Sequence, residues 1–423
     1  MRIAAARLAL MLVWGGIPAA SHAAPPPELE SWLLNTSGQT GYGGLPANVQ
    51  RIRYSSGNAY VNASDIPTYT IGPWPGNPNT PTDQDYLFRI PRNPVENGGT
   101  KTSTPLGPTG VWINGVVIFN ALDAHSYNNQ NVWHQNAVLA EAASFDACLG
   151  HPAPGGVYHH HQNPACLYSP DSTKHSPIYG YAYDGFPIYG PYGHRNADGT
   201  GGIARMRSSY RQRNITQRTT LPDGTVLSPS QYGPDVSATY PLGFYVEDFE
   251  YVGGLGDLDR YNGRFTVTPE YPGGIYAYFV TIEGTGASAY PYTIGPQYYG
   301  VVAADDISTH GHVTITEPVS DYTPTWAQVP EPSPGGVALG LDQNAPNPLR
   351  DGATISFRLP AAGRATIDLY DLAGRFIGTV FDGERPAGTN SVWLDGARLG
   401  PGAYFYRLST NGRRLEKKMV LSR

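Results

Sequence analysis

Charge is scarce in this chain. Asp, Glu, Lys and Arg make up 15% of its 423 residues, against about 25% in ordinary soluble domains. The net charge is −6, and no basic stripe could neutralise a run of phosphates, so nucleic acid is not an expected partner. No Gly-x-Ser-x-Gly elbow and no phosphate-cradling glycine loop occur, which removes the usual signs of serine-nucleophile and nucleotide chemistry. Beyond the first residues no apolar run is long enough for a transmembrane helix. Two cysteines occur, so at most one internal disulfide can form.

Polarity comes instead from 51 Gly, 39 Pro and 30 Tyr, with many Asn and Thr. Gly and Pro stay below the level typical of disordered chains, and aromatics recur at regular spacing through the same stretches. The expected fold class is therefore mainly β: short strands joined by punctuated loops in a large loop-rich domain, followed by a small immunoglobulin-like sandwich. A chain of this length also exceeds what one core usually organises.

Arg2 and Arg7 precede an apolar run from Leu8 to Ala20, and Ser21-His22-Ala23 offers small residues for cleavage. Residues 1–23 thus read as a signal peptide, with an uncleaved anchor as the alternative. Export places the chain in an oxidising compartment. Within 30–320, Val49 to Val61 reads as a hairpin turning at Ser56-Gly57-Asn58. Asp85 to Ile90 reads as a strand, Val111 to Phe119 as a strand interrupted at Asn114-Gly115, and Asn136 to Phe145 as the best helix. Residues 321–341, with Pro330-Glu331-Pro332-Ser333-Pro334, form a stiff linker. Residues 342–423 carry alternating strands around Ile355–Leu359, Ile367–Leu369, Phe376–Phe381, Val392–Leu394, Ala403–Leu408 and Leu415–Leu421, the last two joined at Asn411-Gly412.

This tail resembles the C-terminal sorting domain of type IX secretion. The matching segments are Gln343-Asn344-Ala345-Pro346-Asn347-Pro348, Leu369-Tyr370-Asp371-Leu372-Ala373-Gly374-Arg375, Gly402-Ala403-Tyr404-Phe405-Tyr406-Arg407-Leu408 and Lys417-Lys418-Met419-Val420-Leu421. Leu349 stands where the family usually has Phe. The resemblance implies type IX machinery as a partner, with passage through the periplasm to the surface or medium. A purely structural sandwich is the alternative.

Histidine is concentrated in the middle of the chain, where seven of eleven lie between His125 and His175. Cys148 and Cys166 bracket Tyr158-His159-His160-His161. In an oxidising compartment the two cysteines read as a disulfide, with reduced thiols at a metal site as the alternative. If Val157 to His161 is extended, His159 and His161 share one face and His160 points to the other. Two imidazoles so placed suit a borderline cation, zinc or copper(II). His151, His125 and Asp184 are the nearest further ligands in sequence. A cluster that merely hydrogen-bonds backbone remains open.

The same region resembles the YHYH family of bacterial extracellular proteins, with His160 in place of the second Tyr. Trp112-Ile113-Asn114-Gly115-Val116, Asp146-Ala147-Cys148-Leu149-Gly150-His151-Pro152, Asp184-Gly185-Phe186-Pro187-Ile188-Tyr189-Gly190-Pro191, Asp257 to Phe265 and Thr268 to Pro272 also match, over Glu30 to Thr316. The resemblance implies no particular activity. Asp257 to Gly263 reads better as an Asx-rich turn than as a calcium loop. His312 reads as the solvent face of a strand. The leading functional expectation is an extracellular metal-binding protein centred on His159, His161 and His151, with Asp184 as the acid/base candidate. The alternatives are a module using loop tyrosines to bind a small molecule, glycan or peptide, and a structural surface protein.

Overall fold

The computed structural model describes residues 26–324, 340–359, 363–371, 375–386, 388–397, 399–410 and 413–422. The leader, the Pro-rich run and the Asn411-Gly412 turn lie outside them. The chain divides after Pro324 into two compact units.

The first unit is organised by an eight-stranded sheet. Its strands run Gly263–Thr266, Ile275–Phe279, Pro187–Tyr189, Ile178–Ala182, Pro108–Trp112, Val117–Phe119, Tyr158–His160 and His151–Pro152, in that spatial order. What reads in sequence as one interrupted strand, Val111 to Phe119, is a hairpin. Asn114-Gly115 reverses the chain, with Gly115 at φ +80 and the site of its missing Cβ 2.4 Å from the Ala63 Cβ. Tyr158–His160 runs parallel to Val117–Phe119, and His151–Pro152 closes the sheet edge antiparallel to it. A second sheet contains the expected hairpin, Val49–Tyr54 against Asn58–Ala63, with Tyr86–Pro91 beside it. The Ser55 hydroxyl accepts from the Gly57 and Asn58 amides to close the turn.

The expected helix is much shorter than its Ala-rich composition implied. Asn136 caps Ala137–Ala140 by accepting the Val138 amide, and after Glu141 the chain tightens into a 3-10 turn at Ala142–Ser144. Four residues give one turn, and the hydrogen bond from Ser144 to the Glu141 carbonyl ends it. The tyrosines are also not chiefly loop groups. Tyr60, Tyr158, Tyr179, Tyr181, Tyr183, Tyr189, Tyr278 and Tyr298 are all under 2% exposed, inside the core.

The second unit is a sandwich. Gly340–Leu341, Gly352–Leu359 and Gly388–Asp395 form one sheet, and Phe376–Arg385, Gly363–Asp371, Gly402–Thr410 and Arg413–Leu421 the other. Burial alternates from Ala365 to Leu369 and along Gly388–Asp395, as an inward face between two sheets requires. Among the described residues no helix is long and apolar enough to cross a membrane.

Candidate metal centre

The centre lies on the two last strands of the large sheet. His151 and His159 are direct cross-strand partners, and His161 is two residues further along, so period-2 alternation turns all three rings to one side. Their Nε2 atoms meet. His159 Nε2 is 3.0 Å from His151 Nε2 and 3.0 Å from His161 Nε2. Each of the three residues is 3% exposed. His160, on the opposite face, is fully buried between Trp112 and Tyr158.

Hydrogen bonding decides where the protons sit. His161 Nδ1 lies 2.6 Å from the Asn120 carbonyl and His159 Nδ1 3.2 Å from that of Val157. Both nitrogens must donate. Ser144 spends its own proton on the Glu141 carbonyl, 2.8 Å away, so its oxygen can only accept from His151 Nδ1 at 2.7 Å. In its neutral form each ring therefore carries hydrogen on Nδ1 and points a lone pair from Nε2 into the cluster. Such lone pairs repel unless a cation lies between them, and an outer partner on the second nitrogen is how protein imidazoles are oriented toward metal. Burial, reinforced by the neighbouring imidazoles, pushes His159 well below its ordinary value, and burial lowers His151 to about 4 against the pull of Glu141. Both are therefore neutral, ligand-competent bases at pH 7. Phe119 stacks on His159 with ring centroids 3.9 Å apart and fixes the ring plane.

Glu141 joins the three from the end of the short helix. Its Oε2 is 3.2 Å from His161 Nε2 and 3.6 Å from His151 Nε2. Sequence reasoning missed Glu141, because it sits on neither strand and no spacing ties it to the histidines. Asp184 is placed elsewhere. Fully buried, it accepts from the Tyr278 hydroxyl at 2.6 Å and the Gly300 amide at 2.8 Å, and burial raises it to about 6. His125 is exposed, on the Leu122–Ser126 strand. A cleft of ≈370 Å³ opens over the centre, lined by Asn77, Asn79, Leu106, Asp123 and Glu141 besides the histidines.

Cys148 and Cys166 are disulfide-bonded, with Cα atoms 5.0 Å apart. The closed loop carries all three histidines, and closure of that length contributes about 3 kcal/mol by the chain-entropy estimate. The Asp257–Gly263 segment is an Asx turn. Asp259 accepts from the Tyr261 and Gly263 amides and the Tyr276 hydroxyl, while Asp257 pairs with Arg207. His310 and His312 are exposed, next to a single parallel bridge from Leu87 to His312 rather than in a full strand.

A search of curated proteins finds no match. Residues 87–290 match the family model described as YHYH protein, and residues 345–422 match the secretion system C-terminal sorting domain. The first match spans every histidine of the centre and both cysteines; the second spans the sandwich except its first short strand, Gly340–Leu341. The chain therefore carries a YHYH domain followed by a type IX secretion C-terminal sorting domain, which marks it for the cell surface or the medium.

Proposed function

We propose that this is an exported metalloprotein whose YHYH domain holds zinc or copper(II) through His151, His159 and His161, and which crosses the periplasm before its tail is read by the type IX machinery. The observation that carries the metal reading is the convergence of three buried Nε2 lone pairs whose Nδ1 hydrogens are already committed. Imidazole sets of this kind suit borderline cations rather than magnesium or calcium. Metal per chain, measured by plasma mass spectrometry after dialysis, tests it. The parent should hold about one ion. His159→Ala and His161→Ala should each lose most of it, whereas His160→Ala, with circular dichroism confirming the fold, should keep it. Equal loss from all three variants defeats the facial argument.

A second reading has one observation in its favour. A cleft of ≈590 Å³ is lined by Tyr210, Phe249, Tyr251, Tyr290 and Arg260, surfaces on which a sugar ring or peptide could stack. A glycan array tests that reading independently of metal.

A further inference from the structure

Four donor atoms, not three, surround the centre, and they touch in a closed ring. The contacts run His151 to His159 at 3.0 Å, His159 to His161 at 3.0 Å, His161 to Glu141 at 3.2 Å and Glu141 back to His151 at 3.6 Å. A first-row cation with bonds of about 2.0–2.1 Å sets neighbouring ligand atoms about 2.9 Å apart at right angles and about 3.4 Å apart at tetrahedral angles. Three of the four neighbouring contacts fall within or close to that range, and the three histidine donors all lie within 4.8 Å of one another. The Glu141 oxygen stands slightly outside at 3.6 Å from His151, within reach of a small side-chain adjustment.

Glu141 has further marks of a ligand. Its Oε2 is a buried atom without a hydrogen-bond donor, although a desolvated carboxylate oxygen ordinarily needs one. The His161 proton cannot serve it, being held on Nδ1 by the Asn120 carbonyl. Its backbone carbonyl receives the Ser144 hydroxyl, and that oxygen receives the His151 Nδ1 hydrogen. One hydroxyl thus fixes the carboxylate-bearing residue relative to a histidine ligand.

The fourth position is also the open one. The histidine side chains are at most 4% exposed where paired with Glu141, but the Glu141 side chain is 30% exposed. It stands on the wall of the cleft. Among the described residues no Lys or Arg lines that cleft, and Asp123 adds a second carboxylate. Phosphate and sulfate esters would find no protein counter-charge there. A divalent ion bound by three neutral imidazoles and one carboxylate keeps a single positive charge, enough for a small neutral or monoanionic donor.

Building on the three-histidine reading, we propose that Glu141 is the fourth ligand of a three-nitrogen, one-oxygen centre. The cleft leaves a further coordination position open to a small nitrogen or oxygen donor. The centre is thus of the exchangeable, reactive kind and not a closed structural one.

The full mature chain, loaded with cobalt(II) as a visible probe, tests both parts. Glu141→Gln keeps the shape of the side chain and removes its charge. It should raise the metal Kd at least tenfold and change the cobalt absorption spectrum, with circular dichroism unchanged. Sodium azide added to the parent should shift that spectrum saturably. A Glu141→Gln protein with parental Kd and spectrum overturns the ligand assignment, and an azide-insensitive parent spectrum overturns the open position. A parent that binds no metal at all overturns the three-histidine reading instead, so the two failures are distinguishable.

Discussion

The core of the C-terminal sandwich is mostly aliphatic, built on Ile355, Leu359, Ile367, Leu369, Leu394 and Leu408 with Phe357, Met419 and a single buried tyrosine, Tyr406. The core of the YHYH unit sets nine tyrosines among its aliphatic residues. The difference lies in what each core asks of its surroundings. Aliphatic side chains ask only to be dry, while a buried phenol needs an acceptor. The YHYH unit supplies carboxylates: Asp146 for Tyr158, Asp184 for Tyr278, Asp259 for Tyr276 and Glu270 for Tyr189. In such a core a buried carboxylate is ordinary, and perturbed titration alone does not mark a site. What separates Glu141 from these is that it serves no phenol and faces the Nε2 atoms of His151 and His161.

The largest expected effect concerns independence. If the sandwich is an autonomous unit read by the export machinery, removing Asp342–Arg423 should abolish delivery to the surface or medium and leave a folded YHYH unit in the periplasm. Fractionation of the native host with limited proteolysis measures both. Delivery at the parental rate would make the tail an ordinary structural module.

The next effect tests whether the polar core is as demanding as it looks. Arg218 and Asp248 are each 0% exposed and pair at 2.7 Å, with the guanidinium also donating to the Pro234, Tyr240 and Pro241 carbonyls. Arg218→Ala strands a buried carboxylate and should cost about 3–5 kcal/mol in denaturant unfolding of the YHYH unit. A cost below about 1 kcal/mol would mean that water enters this core easily.

The two units also differed in how much their sequences disclosed. The sandwich was legible because each strand repeats every second residue. Ile355, Phe357 and Leu359, or Ile367 and Leu369, announce one buried face, and the described strands fall where the pattern puts them. In the YHYH unit the same rule found the facing of His159 and His161, and compartment and spacing found the Cys148–Cys166 bond. It did not find Glu141, whose position is set by a one-turn helix and a Ser144 hydrogen bond, contacts with no sequence period. Asp184 drew attention through its place beside the histidines in sequence. Its partner Tyr278 is 94 residues away, and no local pattern carries that pairing.

A smaller contrast should appear with pH in metal-free protein. Burial lowers His160 and His175 to about 4, so the folded rings stay neutral where the unfolded chain takes up protons, from about pH 6.5 downward. The stability they allow is complete above that pH and is lost as pH falls toward 4. His151 and His159 act in the same direction without metal. Asp184 and Asp306, raised to about 6 by burial, act oppositely and recover part of the loss below pH 6. The chelator-treated YHYH unit should melt lower at pH 5 than at pH 7. The sandwich, which has no histidine, should melt at the same temperature at both. An equal shift in both units would place the sensitivity outside the buried histidines.

The smallest effect belongs to the surface of the sandwich, and it sharpens the claim that its core alone holds it. Arg364 grips Asp382 across neighbouring strands with two bonds of 2.9 and 2.8 Å. That geometry is good, yet the side chains are 70% and 41% exposed, so water solvates both charges once the pair is broken and salt screens them while it is made. Three residues along the same strand, Ile367 is 0% exposed at the centre of the aliphatic cluster. Its removal leaves a cavity that the stiff sheets on both sides close only in part. Arg364→Ala should therefore leave the melting temperature of the sandwich unchanged within error at moderate salt, while Ile367→Ala should cost about 2–5 kcal/mol. Calorimetry on the two variants decides the matter. If Arg364→Ala lowers stability as much as Ile367→Ala, the sandwich depends on its ion pairs, and the division between an aliphatic unit and a polar one does not hold.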